Sequence, residues 1–168
     1  MKASKSILIL CIVLFLSACN PTPTDIESAT FIRVVDGDTI VVDRGKGNET
    51  VRLIGINAPE SVHNNPDYNT EDGRKSSAFL KEWMENVDLV YLEKDVNDTD
   101  KYGRLLRYVW IVEPNEFDEN EIRERMLNAI ILLEGYAQGV TYQPDVNYQD
   151  YFTQFTQEAR ENNKGLWE

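Results

Sequence analysis

The chain has 168 residues, of which 42% are hydrophobic, and it carries a formal net charge of -12 at pH 7. This length and apolar content suffice for one globular domain with a buried core. The strong negative charge excludes a protein that binds nucleic acid indiscriminately through a broad basic face. A nucleic-acid substrate would therefore require positive charge concentrated in a small cleft, or a bound metal ion.

The N-terminal segment has the pattern of an export signal. Lys2 and Lys5 precede an apolar run from Ile7 to Phe15, which is too short to span a bilayer, and small residues lead to Cys19. The pattern resembles a bacterial lipoprotein signal, which implies cleavage before Cys19 and acylation of its thiol. A plain secretory peptide or a retained anchor is the alternative.

We therefore predict three parts: a signal peptide over residues 1–18, a polar tether over residues 19–28 and one domain over residues 29–168. Both cysteines, Cys11 and Cys19, precede that domain, so it forms no disulfide and no thiolate metal site. Loss of the two lysines of the signal peptide changes the formal charge from -12 to -14. We expect a monomer that is lipid-anchored on the extracellular face of a bacterial membrane, with release into the medium left open.

The first half of the domain has mostly strand character. Short runs rich in β-branched residues alternate with turn residues, and the Gly45 to Asn48 segment predicts a hairpin between the second and third runs. The predicted strands are Thr30 to Val35, Thr39 to Asp43, Glu49 to Ile56, Val87 to Glu93 and Arg104 to Val112.

Three segments have apolar residues at helical spacing. The predicted helices are Gly73 to Asn86, Glu121 to Glu134 and Asn147 to Asn162. The three tryptophans, Trp83, Trp110 and Trp167, occupy apolar positions and are predicted to be core residues. Five short strands, with one helix after the third and two at the end, indicate an α+β fold: a five-stranded OB-fold barrel packed with three helices.

Candidate chemistry lies in three short motifs. In the first, VDGDT, Gly37 permits a sharp turn that places Asp36 and Asp38 together, and hard divalent cations prefer such oxygen ligands. An ordinary hairpin turn is the alternative. The second, VRLIGINAPE, puts Arg52 in a strand that leads to Glu60. The third, DKYGR, is a polar turn that leads into a strand at Arg104. Taken alone, each arginine has a plain alternative: Arg52 as a solvated residue of an edge strand, and Arg104 as an exposed charge at the start of a strand, which the motif by itself favours.

Together the motifs resemble those of the staphylococcal nuclease family. VVDGDTI, VRLIGINAPE, DKYGRLLRYVW and a terminal KGLW occur in the family's order, and the resemblance covers Ala29 to Trp167. It implies an OB-fold barrel that hydrolyses phosphodiester bonds of DNA and RNA, as an endonuclease and exonuclease. It also implies dependence on calcium and products that end in a 3'-phosphate.

The resemblance further implies a role for individual residues. Asp38 would bind calcium directly, together with Asn57 and the backbone carbonyl of Ala58, and Asp36 would lie just outside the metal's ligands. Arg52 and Arg104 would bind the phosphate, and Glu60 would activate the attacking water. The residues implied at the nucleotide are Lys101, Tyr102 and Tyr142.

Two positions depart from the family's pattern. Asn57 stands where a second aspartate ligand is usual, which predicts weaker calcium binding because ligand charge sets affinity. Val140 replaces one of two tyrosines that flank the base, which leaves Tyr142 either as the single stacking platform or as ordinary barrel packing. The alternative function is a catalytically impaired OB-fold module that binds nucleic acid, with its metal chemistry silenced by Asn57.

Overall fold

The computed structural model describes residues 26–61 and 69–168 of the protein. The predicted signal peptide, the lipidation residue Cys19 and most of the predicted tether lie outside the described residues. Ile26, the first described residue, already belongs to a strand, so β1 includes residues 26–28 of the segment predicted as tether. No helix within the described ranges has the length and apolar character needed to cross a membrane.

The described part of the chain contains seven strands and four α-helices. The strands are β1 (Ile26–Asp36), β2 (Thr39–Asp43), β3 (Asn48–Leu53), β4 (Ile56–Asn57), β5 (Leu89–Glu93), β6 (Leu105–Trp110) and β7 (Gln138–Gly139). The helices are α1 (Glu71–Trp83), α2 (Glu119–Arg125), α3 (Leu127–Leu133) and α4 (Gln149–Glu161), followed by a 3₁₀ turn over Gly165–Trp167.

Five of the strands close into a barrel in the order β1-β2-β3-β6-β5. Only β3 and β6 run parallel, and the other neighbours are antiparallel. The long β1 closes the barrel because its first half pairs with β5 and its second half with β2. Closure gives every barrel strand two neighbours. The predicted five-stranded α+β barrel is confirmed.

The predicted third strand is too long at its C-terminal end. β3 stops at Leu53, and Gly55 turns the chain with a φ of +75°. A Cβ at Gly55 would also lie 2.6 Å from the ring of Phe152. Since only glycine suits both constraints, the chain leaves the barrel here. It continues as β4, which pairs with β7 and places Asn57 opposite Gln138.

The predicted helix from Glu121 to Glu134 is wrong as a single element, so the barrel packs with four helices rather than three. Met126 leaves the helical conformation, with φ of -88° and ψ of 116°, and forms a β-bridge with Trp110. The neighbouring Ile111 amide donates to the Arg125 carbonyl at 2.9 Å. The apolar stripe continues through the break because α2 and α3 both pack on the core.

The tryptophan prediction is only partly correct. Trp110 is fully buried, and its indole N–H donates to the Glu93 carboxylate at 2.8 Å. Trp83 is 41% exposed near the end of α1 and is not a core residue. Trp167 is partly buried, and the Arg160 guanidinium lies 4.3 Å from its ring centroid.

A buried asparagine fixes the turn that follows β3. Asn128 on α3 donates its amide N–H to the Ile54 carbonyl at 2.8 Å and accepts from the Val109 amide at 2.9 Å. Both backbone groups are thereby satisfied without water. The contact ties α3 to β6 and to the β3–β4 turn, and so positions the segment that carries Asn57 to Glu60.

Candidate active site

A cleft of about 660 Å³ opens on the barrel beside the first residues of β2 and the last residues of β3. The predicted site residues that line it are Asp38, Arg52, Asn57, Ala58, Glu60, Tyr102, Arg104 and Tyr142. A second cleft of about 540 Å³ shares both arginines and both tyrosines and adds Lys101. The structure thus brings together every predicted residue of the nuclease site, and their chemical roles stay predictions.

Asp38 is held at the base of the cleft by three groups. Its carboxylate accepts hydrogen bonds from the Thr39 hydroxyl and from the Ala58 amide, each at 2.9 Å, and lies 3.0 Å from a terminal nitrogen of Arg52. A Cβ at Gly37 would lie 2.0 Å from the Ser76 hydroxyl oxygen, so the approach of α1 to this turn requires glycine. The Asp-Gly motif is therefore more than an ordinary hairpin turn.

Burial raises the pKa of Asp38 above its usual value of 3.8, and the nearby Asp36 raises it further. Arg52 and the hydrogen bonds from Ala58 and Thr39 act in the opposite direction without cancelling the increase. Ionised Asp38 is therefore an electrostatically unfavourable charge in the protein alone. A cation placed beside it would relieve that cost.

Arg52 is anchored by several acceptors and is not a solvated strand residue. One terminal nitrogen donates to the Leu53 carbonyl at 2.7 Å and to the Ile56 carbonyl at 2.9 Å. The other lies beside Asp38 and donates to the Asn57 side-chain oxygen at 3.3 Å. Because the side chain is only 13% exposed, the guanidinium is fixed before any ligand arrives.

Arg104 has a single carboxylate partner, which the sequence motif contained but to which we assigned no role. Its Nε donates to Asp100 at 2.7 Å, and the other oxygen of Asp100 accepts from the amides of Tyr102 and Arg104. Although burial opposes it, these hydrogen bonds lower the pKa of Asp100. Within the described residues, the terminal nitrogens of Arg104 make no hydrogen bond, so they remain available to a ligand. The spacing of four residues between Asp100 and Arg104 was the sequence signal that could have predicted this ion pair.

Glu60 has a fixed backbone and an exposed side chain. Its carbonyl accepts from the amide of Thr70 at 2.9 Å and from the Thr70 hydroxyl at 3.3 Å. The same hydroxyl accepts from the Gly73 amide and caps α1. A Cβ at Gly73 would lie 2.1 Å from the Glu60 carbonyl oxygen, so this contact also requires glycine. Thr70 was missed, although a threonine before two acidic residues is a typical start of a helix.

Two exposed tyrosines flank the mouth of the cleft. Tyr102 is 72% exposed and Tyr142 is 63% exposed, which excludes ordinary barrel packing for Tyr142. The Lys101 ammonium lies 4.9 Å and the Arg104 guanidinium carbon 5.4 Å from the centroid of the Tyr102 ring. Val140 lines neither cleft; its amide donates to the Gly55 carbonyl at 2.9 Å.

The oxygen donors near Asp38 suit a hard cation, although few of them are charged. The described residues contain no group of three or more histidine, cysteine, aspartate and glutamate side chains placed to hold a metal ion. Besides Glu60, the carboxylates of Asp36 and Asp38 line the cleft, together with Asn57 and Ala58. Such mixed carboxylate, amide and carbonyl donors are typical of calcium ligands.

Comparison with known proteins identifies the family. A family model described as staphylococcal nuclease homologue matches residues 50–168, more than half of the chain. The chain belongs to the staphylococcal nuclease family. Among its family relatives, the thermonuclease of Staphylococcus intermedius is 35% identical over 147 residues, which cover 86% of this chain and 80% of that protein.

Other relatives carry similar names. The thermonuclease of Staphylococcus hyicus is 35% identical over 136 residues, which cover 81% of this chain and 73% of that protein. Endonuclease YncB of Bacillus subtilis is 33% identical over 142 residues, which cover 83% of this chain and 61% of that protein. Membership of the staphylococcal nuclease family is therefore supported by proteins named for cleavage of nucleic acid.

Proposed function

We propose that this protein is a calcium-dependent nuclease that acts as a monomer on DNA and RNA and leaves 3'-phosphate ends. Its family and its thermonuclease and endonuclease relatives make it a phosphodiester-cleaving enzyme. The composition of the cleft is the observation that supports the proposed calcium-dependent cleavage. Around one space large enough for a nucleotide, the cleft holds Arg52, Arg104, the buried Asp38 and the exposed Glu60.

The two arginines are suited to a phosphodiester in complementary ways. A transition state at phosphorus gathers negative charge on its nonbridging oxygens, and planar guanidinium groups bind such oxygens in pairs. Arg52 is held by backbone carbonyls, and Arg104 is oriented by Asp100. Donors that are already positioned do not have to reorganise during the reaction, which is the main source of electrostatic catalysis.

Calcium would be held by Asp38, Asn57 and the Ala58 carbonyl, with Asp36 nearby. When bound, the ion would supply a fixed positive charge beside the reacting phosphate. Glu60 would hold a water and accept its proton as the water oxygen bonds to phosphorus. The bond from phosphorus to the 5'-oxygen breaks, the 5'-oxygen takes a proton from solvent, and the phosphate stays on the 3'-oxygen.

Plasmid digestion with calcium or with a chelator tests the proposal. We expect cleavage only when calcium is present, and fragments that a polymerase extends only after phosphatase treatment, because the 3' ends are phosphorylated. Digestion that persists in chelator, or ends that are extended directly, would contradict the calcium or product part of the proposal. Plasmid that is bound but uncut in calcium would favour the catalytically impaired binding module.

The amide at position 57 predicts a high calcium requirement. Asn57→Asp adds a third carboxylate beside Asp36 and Asp38, and ligand charge strengthens calcium binding. We expect the calcium concentration for half-maximal cleavage to fall in this variant. A titration of cleavage rate against calcium measures it, with Asn120→Asp on α2, outside both clefts, as the control. An unchanged half-maximal concentration in Asn57→Asp would remove position 57 from the metal site.

We further propose that Cys19 carries a lipid anchor that holds the enzyme on the extracellular face of the membrane. β1 begins beside the far end of the β2–β3 hairpin, where Glu27 pairs with Arg44, whereas Asp38 and Arg52 lie at the opposite end of those strands. An anchor that precedes β1 would leave the cleft directed away from the membrane. Cys19→Ser is expected to move the protein from the membrane fraction to the medium; retention in the membrane would count against lipidation.

A further inference from the structure

One arginine in the cleft differs from the others. In the two described ranges, Arg33 is the only arginine whose guanidinium makes no ion pair, hydrogen bond or ring contact. Arg160 lies over the Trp167 ring. The arginines that pair with carboxylates are Arg44, Arg52, Arg74, Arg104, Arg107, Arg123 and Arg125. With 29 acidic and 17 basic side chains in the chain, acidic partners are plentiful, so an exposed arginine without one is unusual here.

Arg33 lies on the wall of the 660 Å³ cleft, on the β1 side. It is opposite Val41 of β2, which is opposite Thr50 of β3, and these three side chains therefore share one face of the sheet. Arg52, paired with Thr39, is in the next row on the same face. Two strand spacings and one two-residue step put the Cα atoms of Arg33 and Arg52 about 12 Å apart. The Arg52 guanidinium is held beside Asp38 by the Leu53 and Ile56 carbonyls, so Arg33 lies to one side of the phosphate position proposed for Arg52 and Arg104.

The negative charge of the cleft explains why a cationic contact beyond Arg52 and Arg104 would strengthen substrate binding. The cleft carries the carboxylates of Asp36, Asp38 and Glu60, and the whole chain has a net charge of -12. A polynucleotide strand that runs from the reacting phosphate across β2 would be repelled by these carboxylates unless a cation lay on its path. Arg33 is that cation, and the hydroxyl of Thr50, which lines the same cleft, offers a neutral donor between it and Arg52.

We infer that Arg33 binds a second phosphate of the substrate strand, one or more nucleotides from the bond that is cut. The inference rests on the proposed function and deepens it: the substrate is a polynucleotide that crosses the β1–β2–β3 face, and short substrates lack this contact. Arg33 acts in binding, and it takes no part in the chemistry at phosphorus.

The test compares a long oligothymidylate with a thymidine dinucleotide as substrates of the full-length protein in calcium. For Arg33→Gln, we expect kcat/KM to fall about tenfold on the long substrate, because one charge-assisted contact is lost. The fall on the dinucleotide should be several times smaller. The slope of log kcat/KM against log salt concentration should become shallower by about 0.7 on the long substrate, as expected for one single-strand phosphate contact.

Two further variants make the result specific. Arg33→Lys keeps a point charge and should retain most of the salt dependence. Arg160→Gln makes the same change in net charge on α4, outside both clefts, and should behave as wild type. Thermal unfolding confirms that each variant is folded. Fluorescence anisotropy with a labelled oligothymidylate, measured against salt, gives a readout that is independent of turnover.

The outcomes separate the inference from the function on which it rests. If wild type cleaves both substrates and Arg33→Gln keeps the wild-type salt slope and length preference, the Arg33 inference is overturned and the nuclease assignment stands. If Arg33→Gln and Arg160→Gln shift the slope equally, the effect is one of net charge and the inference is also overturned. If wild type cleaves neither substrate in calcium, the proposed function fails as well.

Discussion

Replacement of Glu60 by glutamine is expected to lower kcat roughly 10²- to 10⁴-fold, the range that general-base assistance supplies. Glutamine has the same shape but cannot accept the proton of the attacking water. The fold should be unaffected because the Glu60 side chain is exposed and only its backbone carbonyl is held by Thr70. Single-turnover cleavage of an oligonucleotide in saturating calcium measures the effect on the chemical step.

The matched control for this prediction is Glu71→Gln. It removes the same charge from an exposed glutamate nearby, but that side chain pairs with Arg74 and lies outside both clefts. We expect its kcat to remain close to that of wild type. A Glu60→Gln enzyme that retains its rate within a few-fold would show that Glu60 does not activate water, and another group would have to be sought in the cleft.

Replacement of Asp38 by asparagine is expected to remove activity while making the protein more stable. If Asp38 binds calcium as proposed, its loss should cost more than the roughly 10- to 100-fold that loss of an outer-shell partner costs. The stability effect follows from its raised pKa, which burial and Asp36 produce. An acid whose pKa is higher in the folded chain stabilises the fold below its unfolded pKa, and this contribution is lost as pH rises through the folded pKa. At neutral pH, the ionised group therefore disfavours folding.

Asparagine keeps the acceptor for the Ala58 amide and can donate to the Thr39 hydroxyl, so the substitution removes mainly the charge. Thermal unfolding at neutral pH in chelator should give a higher Tm for Asp38→Asn than for wild type. The advantage should shrink as pH falls toward the unfolded value of 3.8. A lower Tm at neutral pH would mean that the pairing with Arg52 outweighs the cost of burial and of Asp36.

Glu158 provides a control for which the predicted change in Tm has the opposite sign. Its pairing with Arg123 lowers the pKa of Glu158 from 4.5 to about 2. A depressed pKa gives stability that is present above the unfolded value and is lost as pH falls from about 4.5 toward 2. Glu158→Gln should therefore lower Tm at neutral pH and leave activity unchanged, since the residue lies on α4 outside both clefts.

The opposite behaviour of these two carboxylates illustrates how the site is built. Glu158 pairs with its arginine at the surface, where the charge stabilises the fold, whereas burial and Asp36 work against the charged form of Asp38. Active sites commonly hold groups that reduce stability because their function requires it.

Sequence patterns predicted the barrel and the membership of the cleft because both depend on local signals. Alternation of β-branched residues identified the five barrel strands. The three motifs contain every side chain that lines the clefts and was assigned to the nuclease site, except Tyr142, which only the family resemblance implied. The motifs are short, but each places a charged residue where a strand begins or ends. The closed sheet then brings those strand ends together.

The helix break, the turn that follows β3 and the orientation of Asp38 depend on tertiary contacts, which a local sequence pattern does not contain. The break at Met126 arises from its bridge to Trp110, and the apolar stripe runs through it unchanged. The turn at Gly55, which follows the end of β3 at Leu53, lies against the ring of Phe152. The hydrogen bond from Thr39 to Asp38 orients the carboxylate, and it became visible only when the backbone was in place.

The central claim is that one phosphate is bound by the guanidiniums of Arg52 and Arg104, next to a cation on Asp38. A crystal structure with calcium and a nucleotide 3',5'-bisphosphate tests it directly. We predict that a phosphate of the ligand contacts Arg52 and Arg104 together, with calcium bound to the Asp38 carboxylate and the Ala58 carbonyl. A ligand bound elsewhere on the barrel, away from both arginines, or calcium bound at a site without Asp38, would contradict it.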